Sequence, residues 1–262
     1  MGKHNKINFL KEKMKSDRPI IGTWSTINST ILVETLASSG LDFVIIDYEH
    51  GPFEIGRTSD YVNACTAYGC SPIIRIPKNS DWMSLQVLDQ GAHGIVIPSV
   101  KDLKTVDTFI DKIKYAPIGR RGFSPYTKSG KFSNRDLNYK ENANNSCLSI
   151  IIIENVEGVN NIDSILENPH VDIIYFGAYD LSQDLGIAGD VYNKKLLSIV
   201  KPAVKKVLES NKYAGGFVPQ SFEEIKLLSS IGINFITFDI DSHIINSRLN
   251  KIVNQFDKYL NE

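Results

Sequence analysis

The stretch Phe43-Val44-Ile45-Ile46-Asp47-Tyr48-Glu49-His50-Gly51-Pro52 opens as an apolar run and closes as a charged one. Four consecutive apolar residues, without alternation, predict a strand buried on both faces, as the strands of a parallel sheet are. A strand end needs only a turn, which Gly51-Pro52 supplies. The titratable cluster Asp47, Glu49 and His50 in front of that turn is not required by the backbone. His50 is therefore a candidate catalytic base, and the rest of the chain must supply a pocket facing it.

Apolar runs of the same kind recur on both sides. Pro19–Trp24 precedes the opening stretch; Pro72–Pro77, Gly94–Pro98, Leu148–Glu154, Val171–Gly177, Tyr213–Val218 and Phe235–Asp239 follow it. Between them lie segments of helical periodicity: 30–39, 59–68, 81–90 (with Trp82, Leu85 and Leu88 inward), 102–114, 159–166, 194–210, 221–230 and 244–260. Gly40, Gly69, Gly91 and Gly232 follow four of these helices, where a helix-terminating glycine is expected. Eight strands alternating with helices predict an α/β fold, a (β/α)8 TIM barrel forming a single domain over residues 1–262, opened by a short N-terminal helical segment, Met1–Lys15. The competing topology is an open doubly wound sheet; against it, no G-x-G-x-x-G turn follows the first strand. Residues 116–146 read as one long polar loop, of a length that is usually functional or disordered.

Composition sets outer bounds. The 262 residues are 42% hydrophobic with a net charge of −1 and a pI near 6.5, which argues for neither nucleic acid nor an anionic membrane as partner. No apolar run is long enough to span a bilayer, and Met1–Arg18 lacks the apolar stretch of a secretory signal. Three cysteines, Cys65, Cys70 and Cys147, form no metal-binding spacing and fit a reducing cytoplasm. The expected location is cytoplasmic.

In a barrel of this kind the active site forms at the C-terminal ends of the strands. Read in order, those ends carry Trp24; Asp47 with Glu49 and His50; Arg75; Pro98; Glu154; Asp180 in the loop after strand six; Val218-Pro219; then Asp239 and Asp241. Glu154 is either a metal ligand or half of an ion pair. Asp180 is either a helix cap or a second carboxylate on the same pocket. Two such carboxylates suit a hard divalent cation with open positions. Arg75, inside a strand, needs an anion, either a protein carboxylate or a substrate oxyanion. His93 and His170 read as ordinary loop histidines, His4 as part of the N-terminal segment, and Asp89 by itself as a solvated helix-end residue.

Together, Ile46-Asp47-Tyr48-Glu49-His50, Ile74-Arg75, Leu88-Asp89-Gln90-Gly91, Ile97-Pro98, Gly119-Arg120-Arg121-Gly122, Ile153-Glu154 and Gly177-Ala178-Tyr179-Asp180-Leu181-Ser182 form a specific series. In this order the chain resembles the HpcH/HpaI family of class II, metal-dependent pyruvate aldolases. The resemblance runs from about Gly22 to the last helix. It implies a carbon–carbon lyase that cleaves or forms 4-hydroxy-2-oxo acids from pyruvate and an aldehyde through a metal-stabilised enolate. It places a divalent metal on Glu154 and Asp180, with Mg2+ or Mn2+ first and Co2+ or Zn2+ also accommodated. It makes His50 the base, acting directly or through a water, Arg75 the neutraliser of the keto oxygen, and Asp89 the carboxylate orienting His50. Trp24, Arg75, Gly177, Ala178 and Tyr179 would bind substrate, with Asp47 and Glu49 in support. It further implies a homo-oligomer, a hexamer built as a trimer of dimers, with the C-terminal helix exchanged between subunits.

The chain departs from the family pattern at Ile152, where many members carry glutamine, at Ala178 in place of proline, at Tyr48, and at Asp239, which adds a charge near the rim. Tyr48 is thereby a candidate for altered substrate choice. The same enolate could instead meet an acceptor such as oxaloacetate, in a citrate-synthase-like condensation. A non-catalytic keto-acid-binding relative is the remaining alternative.

Overall fold

The computed structural model describes residues 9–16, 18–133 and 136–261. Eight parallel strands, β1 (Ile20–Ser25), β2 (Phe43–Asp47), β3 (Ser71–Arg75), β4 (Gly94–Ile97), β5 (Leu148–Ile153), β6 (Ile173–Phe176), β7 (Tyr213–Gly216) and β8 (Phe235–Ile240), pair in sequence order. The pairing of β1 with β8 closes the barrel. Helices return the chain from each strand to the next, so the open doubly wound sheet is excluded.

Side chains alternate across each strand, and the alternation divides the core in two. Phe43, Ile45, Ile73, Val96, Leu148, Ile150, Ile152, Ile173, Tyr175 and Phe235 fill the barrel interior. Val44, Ile46, Ile74, Ile95, Ile97, Ile151, Ile153, Ile174 and Phe176 pack outward among the helices. Both faces are dry, which is why each strand reads as an unbroken apolar run. The same parity decides where the charged strand ends point. Asp47 follows Phe43 and Ile45, Arg75 follows Ile73, and Glu154 follows Ile150 and Ile152, so all three continue the inner row. Tyr48 continues the outer row of Val44 and Ile46.

The N-terminal helix is Phe9–Met14, with Leu10 fully buried in the inner cluster and Met14 packed against it. It stoppers the barrel where the strands begin. The earlier part of the expected helix, with Ile7, and His4 lie outside the described residues.

Several boundaries differ from expectation. The polar stretch 116–146 contains a helix, Tyr139–Ser146, whose buried residues are only Tyr139 and Asn144, too few for a periodic apolar signal. The segment 159–166 is two short helices, Val156–Asn160 and Ile162–Leu166, the first capped by Asn155, whose side chain accepts from Gly158 N at 2.8 Å. The segment after β6 is a helix, Ala178–Asp184, rather than a loop. In the helix Trp82–Asp89 the buried residues are Met83, Ser84, Val87 and Leu88, while Trp82 and Leu85 are exposed. The last helix starts early, at Asp241, and runs to Leu260. No helix among the described residues is long and apolar enough to cross a membrane.

Candidate active site

At the C-terminal ends of the strands lies a cavity of about 230 Å3 lined by Trp24, Thr26, Asp47, His50, Arg75, Ile152, Glu154, Tyr175, Gly177, Ala178, Tyr179, Asp180, Phe217, Val218 and Ile240. Neighbouring strands deliver its charged groups by register. Asp47 and Arg75 are direct partners across β2 and β3. Gly177 N donates to Ile153 O at 2.9 Å, which sets Glu154 beside the turn leading to Asp180.

Asp47 is the organiser of the first corner. It is 1% exposed. Its Oδ1 accepts from Arg75 Nε at 2.8 Å and from the backbone N–H groups of Glu49 at 3.0 Å and His50 at 3.2 Å, and its Oδ2 accepts from Arg75 Nη2. One carboxylate thus shapes the turn that carries His50 and locks the guanidinium by a fork of two bonds. Glu49 Oε2 lies 3.4 Å from Arg75 Nη1. The guanidinium stacks over the Trp24 ring at 4.5 Å. Burial opposes the charge on Arg75, but the Asp47 and Glu49 carboxylates outweigh it and hold its pKa above the usual value. Trp24 is fixed in turn: its Nε1 donates to Tyr175 Oη at 3.2 Å, and Tyr175 Oη shares a 2.7 Å bond with Thr237 Oγ1. The protein-carboxylate and substrate-facing roles of Arg75 are therefore compatible: it is paired, and it still borders the cavity.

The second corner is different. Glu154 is half-buried, Asp180 is exposed in the first turn of the helix Ala178–Asp184, and neither is paired with a cation by a salt bridge among the described residues. Asp180 is the third residue of that helix, not its cap. Burial raises the pKa of Glu154; a hydrogen bond from Ser99 lowers it, and the charges of Asp180 and Glu49 raise it further. Two like charges here want a cation. No group of three or more His, Cys, Asp or Glu side chains gathers as a metal cluster among the described residues, so any ion held by this pair would take its remaining ligands from water or substrate. Gly177 is required by this packing: a Cβ would stand 2.7 Å from Glu154 Cβ and 3.2 Å from its Oε2.

A family model described as HpcH/HpaI aldolase/citrate lyase matches residues 20–233. The chain belongs to the HpcH/HpaI family. Among HpcH/HpaI relatives, a hydroxypyruvate/pyruvate aldolase of Roseobacter denitrificans is 30% identical over 80% of this chain and 82% of its own length. A 4-hydroxy-2-oxo-heptane-1,7-dioate aldolase of Escherichia coli is 28% identical over 91% of this chain and 90% of its own. Among solved structures, the citrate synthase SbnG superposes with a TM-score of 0.87 at 30% identity, covering 97% of this chain and 99% of that one. The expected enzyme class, an aldolase-type carbon–carbon lyase, follows from the family and these relatives.

Within this HpcH/HpaI chain, most of the residues singled out from sequence meet at the cavity. Two do not. Asp89 is in the last turn of the helix Trp82–Asp89, which carries the chain back toward the start of β4, away from the cavity; it pairs with Arg121 Nη2 at 2.7 Å. It does not line the cavity, and no bond joins it to His50 among the described residues. Tyr48 is buried on the outer face, its Oη 2.7 Å from Thr58 Oγ1 and its ring edge-on to Phe53, so it does not shape the pocket. Asp239 is also buried, and its carboxylate is bonded to His243 Nδ1 at 2.8 Å.

Of the other lining residues, Thr26, Phe217 and Ile240 had no clear sequence signal, while Ile152 and Val218 were marked in the sequence without a place in the pocket. Thr26 is held by Asp241, which accepts from Thr26 Oγ1 at 2.8 Å and Thr26 N at 3.0 Å. Phe217, Val218, Ile152 and Ile240 form the apolar wall. Phe217 and Val218 have φ of 73° and 54°, a backbone turn that their residue types disfavour and local sequence does not announce. Ser99, which donates to Glu154 Oε1, is likewise in left-handed conformation at φ 57°.

Proposed function

We propose that this chain cleaves 4-hydroxy-2-oxo acids to pyruvate and an aldehyde, and runs the reverse aldol addition, at the cavity between His50, Arg75, Glu154 and Asp180. The observation that carries the reading is the pairing of two corners: a locked guanidinium beside an exposed imidazole, and two carboxylates that no Lys, Arg or His side chain pairs by a salt bridge among the described residues. The all-oxygen donor pair fits a divalent cation of the Mg2+ or Mn2+ type better than the nitrogen- and sulfur-seeking metals. Bound by Glu154 and Asp180, such an ion supplies Lewis-acid polarisation of the keto acid.

The chain's own groups do the rest. His50 at the cavity mouth takes the proton of the 4-hydroxyl as the bond between carbons 3 and 4 breaks and the aldehyde leaves. Arg75, pre-positioned by Asp47 and backed by Glu49, meets the negative charge that develops on the keto oxygen. His50 then returns a proton to carbon 3, giving the methyl group of pyruvate. Backbone groups from Gly177 through Asp180 receive the pyruvate carboxylate, and Trp24 and Tyr179 bound its volume.

Asp89 does not line the cavity of its own barrel, and in this reading a second copy of the chain supplies it to His50. Supporting a homo-oligomer, the last helix leaves Ile245, Leu249, Ile252, Val253, Phe256 and Tyr259 exposed, an apolar face that none of the described residues covers. Exchange of this helix between subunits of a hexamer accounts for that face.

The test is exchange of pyruvate methyl protons with deuterated water in the presence of Mg2+ or Mn2+. Wild type exchanges and His50→Ala does not, while metal binding is retained; unchanged exchange in His50→Ala removes it from the role of base. A second reading rests on the full-length likeness to SbnG: the same carbon nucleophile adds to oxaloacetate. A panel of aldehydes and oxaloacetate, read by product mass, separates the two.

A further inference from the structure

We infer that Ser99 is a positioning residue for the metal-binding carboxylate, occupying Glu154 Oε1 so that Oε2 is the oxygen offered to the cation. This rests on the reading of Glu154 and Asp180 as the cation site.

Ser99 follows Pro98 at the end of β4, the strand next to the one that carries Glu154. Its φ of 57° is left-handed, a conformation that costs a non-glycine residue on the order of 1 kcal/mol. If the turn needed only a positive φ, glycine or asparagine would meet the need at lower cost. Serine adds a hydroxyl, and the turn aims it: Oγ donates to Glu154 Oε1 at 2.5 Å. No other side-chain hydrogen bond is given to Glu154 among the described residues.

The opposite oxygen is placed by a different element. Gly177 has no side chain, and the space it leaves is filled by Glu154, with Oε2 only 3.2 Å from where a Cβ would stand. Oε2 therefore faces the β6 turn that leads to Asp180, and Oε1 faces the β4 turn. The remaining neighbour, Ile152, is one inward position before Glu154 on the same strand and has no polar atom to offer. A carboxylate with both oxygens free would rotate about its last bond and present either edge. Fixing one oxygen with a donor leaves one defined ligand, and outer groups of this kind typically change metal affinity by about 10- to 100-fold when removed.

The test is Mn2+ titration of the full-length chain by calorimetry, with thermal unfolding measured in parallel and no turnover needed. Ser99→Gly keeps the backbone turn and removes only the hydroxyl. It should fold with an unfolding midpoint at or above the parent's, and bind Mn2+ about tenfold or more weakly. Ser99→Asn, which tolerates the left-handed turn and carries an amide donor, should recover part of that loss. If the parent binds Mn2+ and Ser99→Gly binds it within twofold of the parent, the positioning role is wrong while the cation site stands. If the parent does not bind Mn2+, or Glu154→Gln binds as the parent does, the cation site itself is wrong and the inference falls with it.

Discussion

The two ends of the barrel use the same residue types to opposite effect. Where the strands begin, four buried or half-buried charges are consumed by the fold. Asp42 accepts from Ile21 N at 2.9 Å and pairs with Lys13; Asp172 accepts from Ser149 N at 2.8 Å and pairs with Lys11 at 2.9 Å. Lys114 donates to the carbonyls of Asn144 at 2.8 Å and Cys147 at 2.6 Å, and Lys212 to those of Asn168 and Val171, each at 2.9 Å. Where the strands end, Asp47 and Arg75 satisfy each other, but His50, Glu154 and Asp180 face a cavity. A charged strand end is thus not itself a sign of function. What separates the two ends is whether protein partners complete the hydrogen bonds, or whether something that binds must do so.

Substitutions should separate the ends cleanly. The largest effect is expected from Glu154→Gln combined with Asp180→Asn: turnover falls by at least about a thousandfold. The unfolding midpoint stays level or rises, because a like-charge pair has been removed; a large loss of stability would place these groups with the structural charges instead. At the other end the signs reverse. Lys114→Met leaves two buried carbonyls without their donor and should cost about 2 to 3 kcal/mol in chemical denaturation, with turnover of the folded enzyme unchanged.

The smallest effect is in the pH dependence of stability, where the two ends have opposite slopes. His93, beside Ser71 at the start of β4, has its pKa lowered from 6.5 to about 4, by burial first and the charge of Lys128 second. The unfolded chain then binds more protons than the folded one between those values, so stability is lost as pH falls through that window. His93→Gln should flatten this acid limb. Glu154, raised by burial, binds its proton more tightly when folded, so its contribution in the metal-free chain is present at low pH and is lost as pH rises through the folded pKa. Glu154→Gln should remove that decline, and saturating Mn2+ should offset it. Thermal unfolding across pH, with each variant against wild type, reads both slopes.

The comparison also shows how far the residues could be read without coordinates. The unbroken apolar runs of β2, β3 and β5 announce strands buried on both faces, because burial on two faces leaves no room for alternation. Period-two parity then carries Asp47, Arg75 and Glu154 to the barrel interior. It equally sends Tyr48 outward, and that parity was present in the sequence. Strand-end position picked out His50 and Asp180, and motif order carried the family and, with it, the roles expected of them. By contrast, the helix Tyr139–Ser146 buries too little to leave a periodic mark, and the segment after β6 reads as a loop because the helix Ala178–Asp184 is seven residues long and has no side-chain cap to announce it.

Local chemistry in the sequence by itself determined the eight strands, the returning helices, and which side chains belong to the inner row at each strand end. Only the tertiary structure decided which ends of which elements meet. It paired Asp89 with Arg121 rather than with the His50 it was expected to orient, bonded Asp239 to His243, and brought Ser99 onto Glu154. The physical reason is that side-chain direction repeats every two or every 3.6 residues and can be counted along the chain. Barrel closure, and left-handed turns such as those at Ser99, Phe217 and Val218, arise from contacts between residues far apart in sequence. For that reason the base, the arginine and the two carboxylates could be picked out one at a time at strand ends, while the hydroxyl that aims one of those carboxylates emerged only once β4 and β5 stood side by side.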